Sequence, residues 1–343
     1  MNSGLQFSVN KILNHYLTKT IKSDENLSGY LSNNICELIS EIYNSFPRRV
    51  DDDGYDYICV EPLSVEVSKD DPSYRVIVEI ADIFNSLPRS YFKAVILHGS
   101  YGDNTPVAGW SDIDIFCVLS RELATCPESL KKLRRELNKI HKLMLLVDPL
   151  QHHGVQIVTE YDLNNYSSNF VPMAALAKGR SLLASQSVVL RYKANKQITN
   201  NSAEIVVNNL LSAKDSGEFK THSKSGIYLP YNRSEGHYMY QLKYFISMNL
   251  LFPALFLSDI NCPCHKADSF DKFYRLVPPE ASRWWKILEE IRIQWGIREG
   301  RSYVPNKIPS WVSDAIGECY FDIAINSMKL ALESEVYKAR VGG

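Results

Sequence analysis

Apolar residues recur at helical spacing through the first forty-odd positions. Ile12, Leu13, Tyr16 and Leu17 form one group; Leu31, Ile35, Leu38, Ile39, Ile42 and Tyr43 form a second. Pro47 stops the pattern, and Asp51-Asp52-Asp53-Gly54 reads as a solvated turn. A helix is expected over residues 73–87, closed by Pro88. The pattern then changes period. Residues 93–97 are a short β-rich run and 112–119 a second one; 128–143 form a charged amphipathic helix, and 143–147 and 155–159 read as two more strands. Beyond them the chain is mainly helical, with helices expected over 203–214, 235–257, 279–295 and 311–337. Pro253 should kink the second of these or end it early.

This order of elements predicts an α/β (α+β) fold. An N-terminal helical segment (1–89) precedes a core with a small mixed sheet (90–190), and a helical domain (191–343) follows it. The 343-residue length agrees with two or three domains. Hydrophobic residues at 45% and charged residues at 22% are ordinary for a globular protein. The formal net charge of −1 lacks the basic excess of a protein that grips nucleic acid broadly. Residues 1–10 do not show a basic segment followed by an apolar run, so no signal peptide is expected. The most apolar stretch, 245–257, contains Ser247, Asn249 and Pro253, is too short to span a bilayer and reads as a buried helix. Seven scattered cysteines, an odd number, do not form a disulfide framework; a reducing, cytoplasmic compartment is expected.

The informative stretch is Leu97-His98-Gly99-Ser100, then eleven intervening residues, then Asp112-Ile113-Asp114-Ile115-Phe116. Side chains alternate along a strand, so Asp112 and Asp114 should project to one side while Ile113 and Ile115 pack inward. Two parallel carboxylates repel each other unless a cation lies between them. Magnesium is a hard cation that commonly takes one or two carboxylates together with substrate phosphates. A glycine where a strand gives way to a helix allows close backbone approach, and N–H groups at a helix start bind phosphate. A phosphate cradle facing paired carboxylates makes a metal–triphosphate site. The competing reading is a surface hairpin with two exposed aspartates.

The combination of Gly99-Ser100 with Ser111-Asp112-Ile113-Asp114 resembles the DNA polymerase β-like nucleotidyltransferase superfamily, closely over residues 93–120 and more loosely to about 190. The resemblance implies transfer of an NMP from an NTP to an acceptor hydroxyl with release of pyrophosphate. Asp112 and Asp114 would hold Mg²⁺ (or Mn²⁺), and Gly99 and Ser100 would seat the triphosphate. Family members often carry a third carboxylate on a neighbouring strand; Asp148, after the apolar run 143–147, stands in the expected place, and Glu160 is a rival. Asp148-Pro149 is also ordinary turn chemistry. His153, in His152-His153-Gly154, is an alternative base. Lys243, on the helix that carries Tyr238, Tyr240 and Tyr244, could meet the triphosphate, as helical-domain side chains do in similar enzymes. The chain departs from many small members in having Gly102-Asp103 and a hydrophobic insert ending in Gly109-Trp110 where an arginine and a glycine are usual. Cys262-Pro263-Cys264-His265 lacks the second ligand pair of a structural zinc site, and Trp284-Trp285 is expected in the core.

The resulting expectation is an enzyme that acts on an NTP and an acceptor, with a small molecule or a protein favoured as acceptor. Transfer to nucleic acid or to a nucleotide, as in tRNA-modifying toxins or cyclic-oligonucleotide synthases, is the second reading, and a non-catalytic nucleotide-binding module the third. No membrane partner is expected, and the sequence leaves the oligomeric state open.

Overall fold

The computed structural model describes residues 36–46, 54–64, 72–148, 151, 154–167, 170–184, 187–194, 201–216, 218–220, 228–230, 239–299 and 308–341. Two compact units emerge, one of residues 1–106 and 111–196, the other of 107–110 and 197–343.

The first unit is built on a six-stranded mixed sheet. In chain order it contains helix α1 (36–45), β1 (Asp56–Pro62), α2 (Pro72–Ser86), β2 (Phe92–His98), the single turn α3 (Gly99–Gly102), β3 (Asp114–Leu119), α4 (Arg121–Ala124), α5 (Pro127–Val147), β4 (Gln156–Thr159), α6 (Met173–Leu176), β5 (Arg180–Ser181) and β6 (Val188–Tyr192). The strand order is β4-β3-β2-β5-β1-β6. β3 runs antiparallel to β2 and parallel to β4, so the strand opened by Asp114 is flanked on both sides.

Alternation along the central strands gives the sheet two apolar faces. Val95, Leu97, Ile113, Ile115, Cys117, Leu119 and Ile157 share one core with α1, α2 and α5. Ala94, Ile96, Phe116, Val118 and Val158 share the other with Leu163, Tyr166, Val171, Met173 and Leu176. The helices match the first face by period: α2 buries Tyr74, Ile77, Ile80 and Phe84, and α5 buries Leu130, Leu133, Leu137, Ile140 and Met144. Each begins with a proline, whose missing N–H costs nothing in the first turn.

The expected strand over 143–147 is instead the last turn of α5, which runs unbroken to Val147. Met144 continues the buried stripe, while Leu146 faces outward at 71% exposure. A short apolar run does not reveal its period, and here the helical stripe that begins at Leu130 governs. Conversely, β1 lies in a segment expected to be helical. The run Tyr57-Ile58-Cys59-Val60 hides an alternation in which only Val60 is buried and Tyr57 and Cys59 are exposed. The acidic run Asp51–Asp53 lies outside the described residues.

The second unit contains α7 (Ser202–Ser216), a ribbon of β7 (Glu218–Lys220) and β8 (Tyr228–Pro230), α8 (Met239–Asp259), α9 (Lys266–Tyr274), α10 (Pro279–Arg298), α11 (Ser310–Ile316), α12 (Tyr320–Leu332) and α13 (Glu335–Val341). Within it the ring of Trp110 meets Trp295 edge-on at 5.3 Å. The single helix expected over 311–337 is three, the first ended by Gly317 at a φ of 70°.

Pro253 does not end α8, which continues to Asp259. A proline inside a helix deprives the carbonyl four residues earlier of its N–H partner. That carbonyl is Asn249, and the indole Nε1 of Trp285 donates to it at 2.8 Å. Trp284 Nε1 donates to Asn249 Oδ1, also at 2.8 Å, and the Asn249 amide donates to the Phe245 carbonyl. The tryptophan pair expected in the core is there, and it closes the gap that the proline opens. Trp285→Phe should therefore cost about 1–3 kcal/mol, the usual penalty for a buried group left unsatisfied. The same change in a Pro253→Ala background, where residue 253 regains its N–H, should cost measurably less. Urea unfolding of the four proteins in this cycle measures the coupling, and equal costs in the two backgrounds would contradict the assignment.

Candidate functional site

β2 delivers the chain to His98, which is buried and pairs with Asp114 across the antiparallel ladder. The backbone then turns sharply through Gly99-Ser100-Tyr101-Gly102. Gly99 has a φ of 65°, in the left-handed region where a side chain is strained. A Cβ at this position would lie 2.4 Å from Oδ2 of Asp114. The α-carbon of the Gly-Ser turn thus rests directly against the carboxylate of the Asp-x-Asp segment. Gly102 is equally constrained, since a Cβ there would stand 2.6 Å from the Leu97 carbonyl oxygen and 3.3 Å from the Gly179 α-carbon. Tyr101 is buried beside Tyr74, the ring centroids 5.8 Å apart. Asp103 is occupied locally: its Oδ1 accepts from the N–H of Thr105 at 3.1 Å and from its hydroxyl at 2.5 Å. The carboxylate of this departure from the usual motif braces its own loop.

Ile113 and Ile115 are fully buried, whereas Asp112 and Asp114 are partly exposed. The in-and-out alternation expected of the motif is present, although the strand itself begins only at Asp114. Two partly exposed carboxylates two residues apart, one of them touched by a glycine backbone, are an oxygen donor set that suits a hard divalent cation.

The remaining candidates stand on other elements. Asp148 is fully buried at the C-terminal end of α5, where its N–H donates to the Met144 carbonyl and its own carbonyl accepts from Gln151 N. It follows a helix rather than a strand. Among the described residues no group of three or more His, Cys, Asp or Glu side chains that could hold a metal is found. β4, the neighbouring strand, begins with Gln156, whose Oε1 accepts from Nε2 of His98 at 2.8 Å. Because β2 and β4 flank β3, this hydrogen bond crosses the face of β3 beside Asp114. Glu160, at the far end of β4, is held by Lys93 at 3.2 Å and by the Arg121 N–H. His152 and His153 lie outside the described residues. Lys243 belongs to the second unit, where it is buried on α8. In the Cys262–His265 segment, Nδ1 of His265 accepts from Ala267 N and caps α9.

Sequence patterns did not single out Gln151 or Gln156. Glutamine has no motif spacing of its own, and both side chains acquire their roles through contacts made across the sheet.

Residues 77–173 match the family model described as a nucleotidyltransferase domain. No curated protein and no solved structure matches the chain. The matched segment contains the greater part of α2, the Gly-Ser turn, the aspartate pair and β4, so family and geometry fall on the same residues. Over residues 77–173 the chain is thus similar to nucleotidyltransferase domains, a likeness consistent with the DNA polymerase β-like superfamily.

Proposed function

We propose that this protein transfers a nucleoside monophosphate from an NTP to an acceptor hydroxyl and releases pyrophosphate. The observation that carries this reading is the contact between the Gly99 α-carbon and the Asp114 carboxylate. It joins a turn suited to phosphate with a carboxylate pair suited to a divalent cation. Asp112 and Asp114 would hold Mg²⁺ or Mn²⁺, which when bound supplies Lewis-acid stabilisation of phosphate charge worth several kcal/mol. The backbone of Gly99 and Ser100 orients the triphosphate, with the α-phosphorus presented to the acceptor. The acceptor oxygen forms the new bond to that phosphorus in line with the bond to pyrophosphate, which breaks, and the hydroxyl proton is lost. A small molecule or a protein is the favoured acceptor, because the chain has no net basic charge. Among the described residues no helix is long and apolar enough to cross a membrane.

The test is incubation with each α-labelled NTP, Mg²⁺ and a cell extract fractionated into small molecules, protein and RNA. Label in the small-molecule or protein fraction, dependent on Asp114, is expected. Label confined to RNA would redirect the acceptor, and absence of Asp114-dependent label from every fraction would overturn the reaction.

A further inference from the structure

β3 and β4 begin to pair only at Phe116 and Gln156. Ile113 lies three residues before that first rung, fully buried, with a backbone N–H and carbonyl that still need partners. Both are met by one side chain. Oε1 of Gln151 accepts from Ile113 N at 3.2 Å, and Nε2 of Gln151 donates to the Ile113 carbonyl at 3.1 Å. The carboxamide presents an acceptor to a donor and a donor to an acceptor, as a neighbouring strand would, so its orientation is fixed by the backbone it meets. Gln151 is itself buried, and its N–H donates to the Asp148 carbonyl at 2.9 Å, which ties it to the end of α5.

The two groups so held belong to two different peptides. The Ile113 N–H is part of the peptide that joins Asp112 to Ile113, and the Ile113 carbonyl is part of the one that joins Ile113 to Asp114. Fixing both planes fixes the α-carbons from which the two carboxylates spring. Asp114 has a second constraint, the ladder to His98, whereas Asp112 stands ahead of the strand.

We propose that Gln151 is a positioning residue for the Asp112–Asp114 pair, a substitute rung of the sheet that sets the separation and direction of the two carboxylates. The proposal rests on the reading of those carboxylates as the pair that holds the divalent cation. Groups that orient metal ligands without touching the metal typically contribute tenfold or more to metal affinity.

The test uses the full chain and two readouts that need no acceptor. The first is hydrogen exchange at the Ile113 amide; the second is binding of Mn²⁺ alone, followed by the loss of its free-ion electron paramagnetic resonance signal. Gln151→Ala should expose the Ile113 amide to exchange and weaken Mn²⁺ binding about tenfold or more. Gln151→Glu keeps the size and the acceptor but sets an oxygen against the Ile113 carbonyl. It should shift both readouts in the same direction, and it serves if the alanine variant does not fold. Asp114→Ala is the control and should bind no Mn²⁺ at the site. A fast-exchanging Ile113 amide with Mn²⁺ affinity unchanged would overturn the positioning role and leave the metal pair standing. Mn²⁺ binding absent from the parent chain, or undiminished in Asp114→Ala, would instead overturn the reading of the pair itself.

Discussion

Asp112→Ala and Asp114→Ala should each lower nucleotide transfer by about a thousandfold or more, the rate equivalent of the several kcal/mol that a bound cation supplies. Neither should unfold the protein. Both side chains are partly exposed, while the packing of this segment comes from Ile113 and Ile115, which the substitutions leave in place. Removing one of two neighbouring like charges relieves repulsion, so the melting temperature without metal should hold or rise slightly. The measurement is pyrophosphate release beside a thermal melt for each variant. Full activity in Asp112→Ala would exclude the proposed chemistry. A large fall in melting temperature for both variants in the absence of metal would make the aspartates structural.

Gly99→Ala should be nearly as damaging while leaving every functional side chain intact. The new methyl group would enter the space of the Asp114 carboxylate, which must move by more than a few tenths of an ångström. A displacement of about 1 Å at a reacting centre can cost roughly a hundredfold in rate. The left-handed backbone adds strain on the order of 1–2 kcal/mol, enough to lower the melting temperature by a few degrees. Activity should thus fall much further than stability. A Gly99→Ala enzyme with parental activity would show that the carboxylate need not rest against this turn.

The features legible in the sequence are those with a local cause. Prolines at residues 72, 88, 127 and 279 mark where helices begin or cannot continue, and the amphipathic stripe of α5 announces itself by spacing. The Gly-Ser and Asp-x-Asp elements are legible because each demands particular residue types at fixed separation. What escaped depends on partners distant along the chain. The apolar residues 143–147 satisfy either period, and the direction of α5 decides between them. β1 gains its identity from β5 and β6, more than a hundred residues later. Asp148 was singled out by its position after an assumed strand, and it stands instead after the last turn of α5. Gln151, three residues further on, acquires its role only where α5 returns the chain to the start of β3.

The indole that closes the gap at Pro253 also bears on how the second unit is assembled. Asn249 and Trp285 are separated by 36 residues, so the hydrogen-bond ladder of α8 is completed by a residue that local helix formation cannot supply. A peptide spanning α8 alone would carry an unanswered carbonyl at its middle, and its two halves would behave as separate short helices. Docking of α10 is therefore part of making α8 continuous, and loosening one releases the other. The proline converts two neighbouring helices into a single cooperative opening unit, in which secondary and tertiary structure are gained or lost in one step.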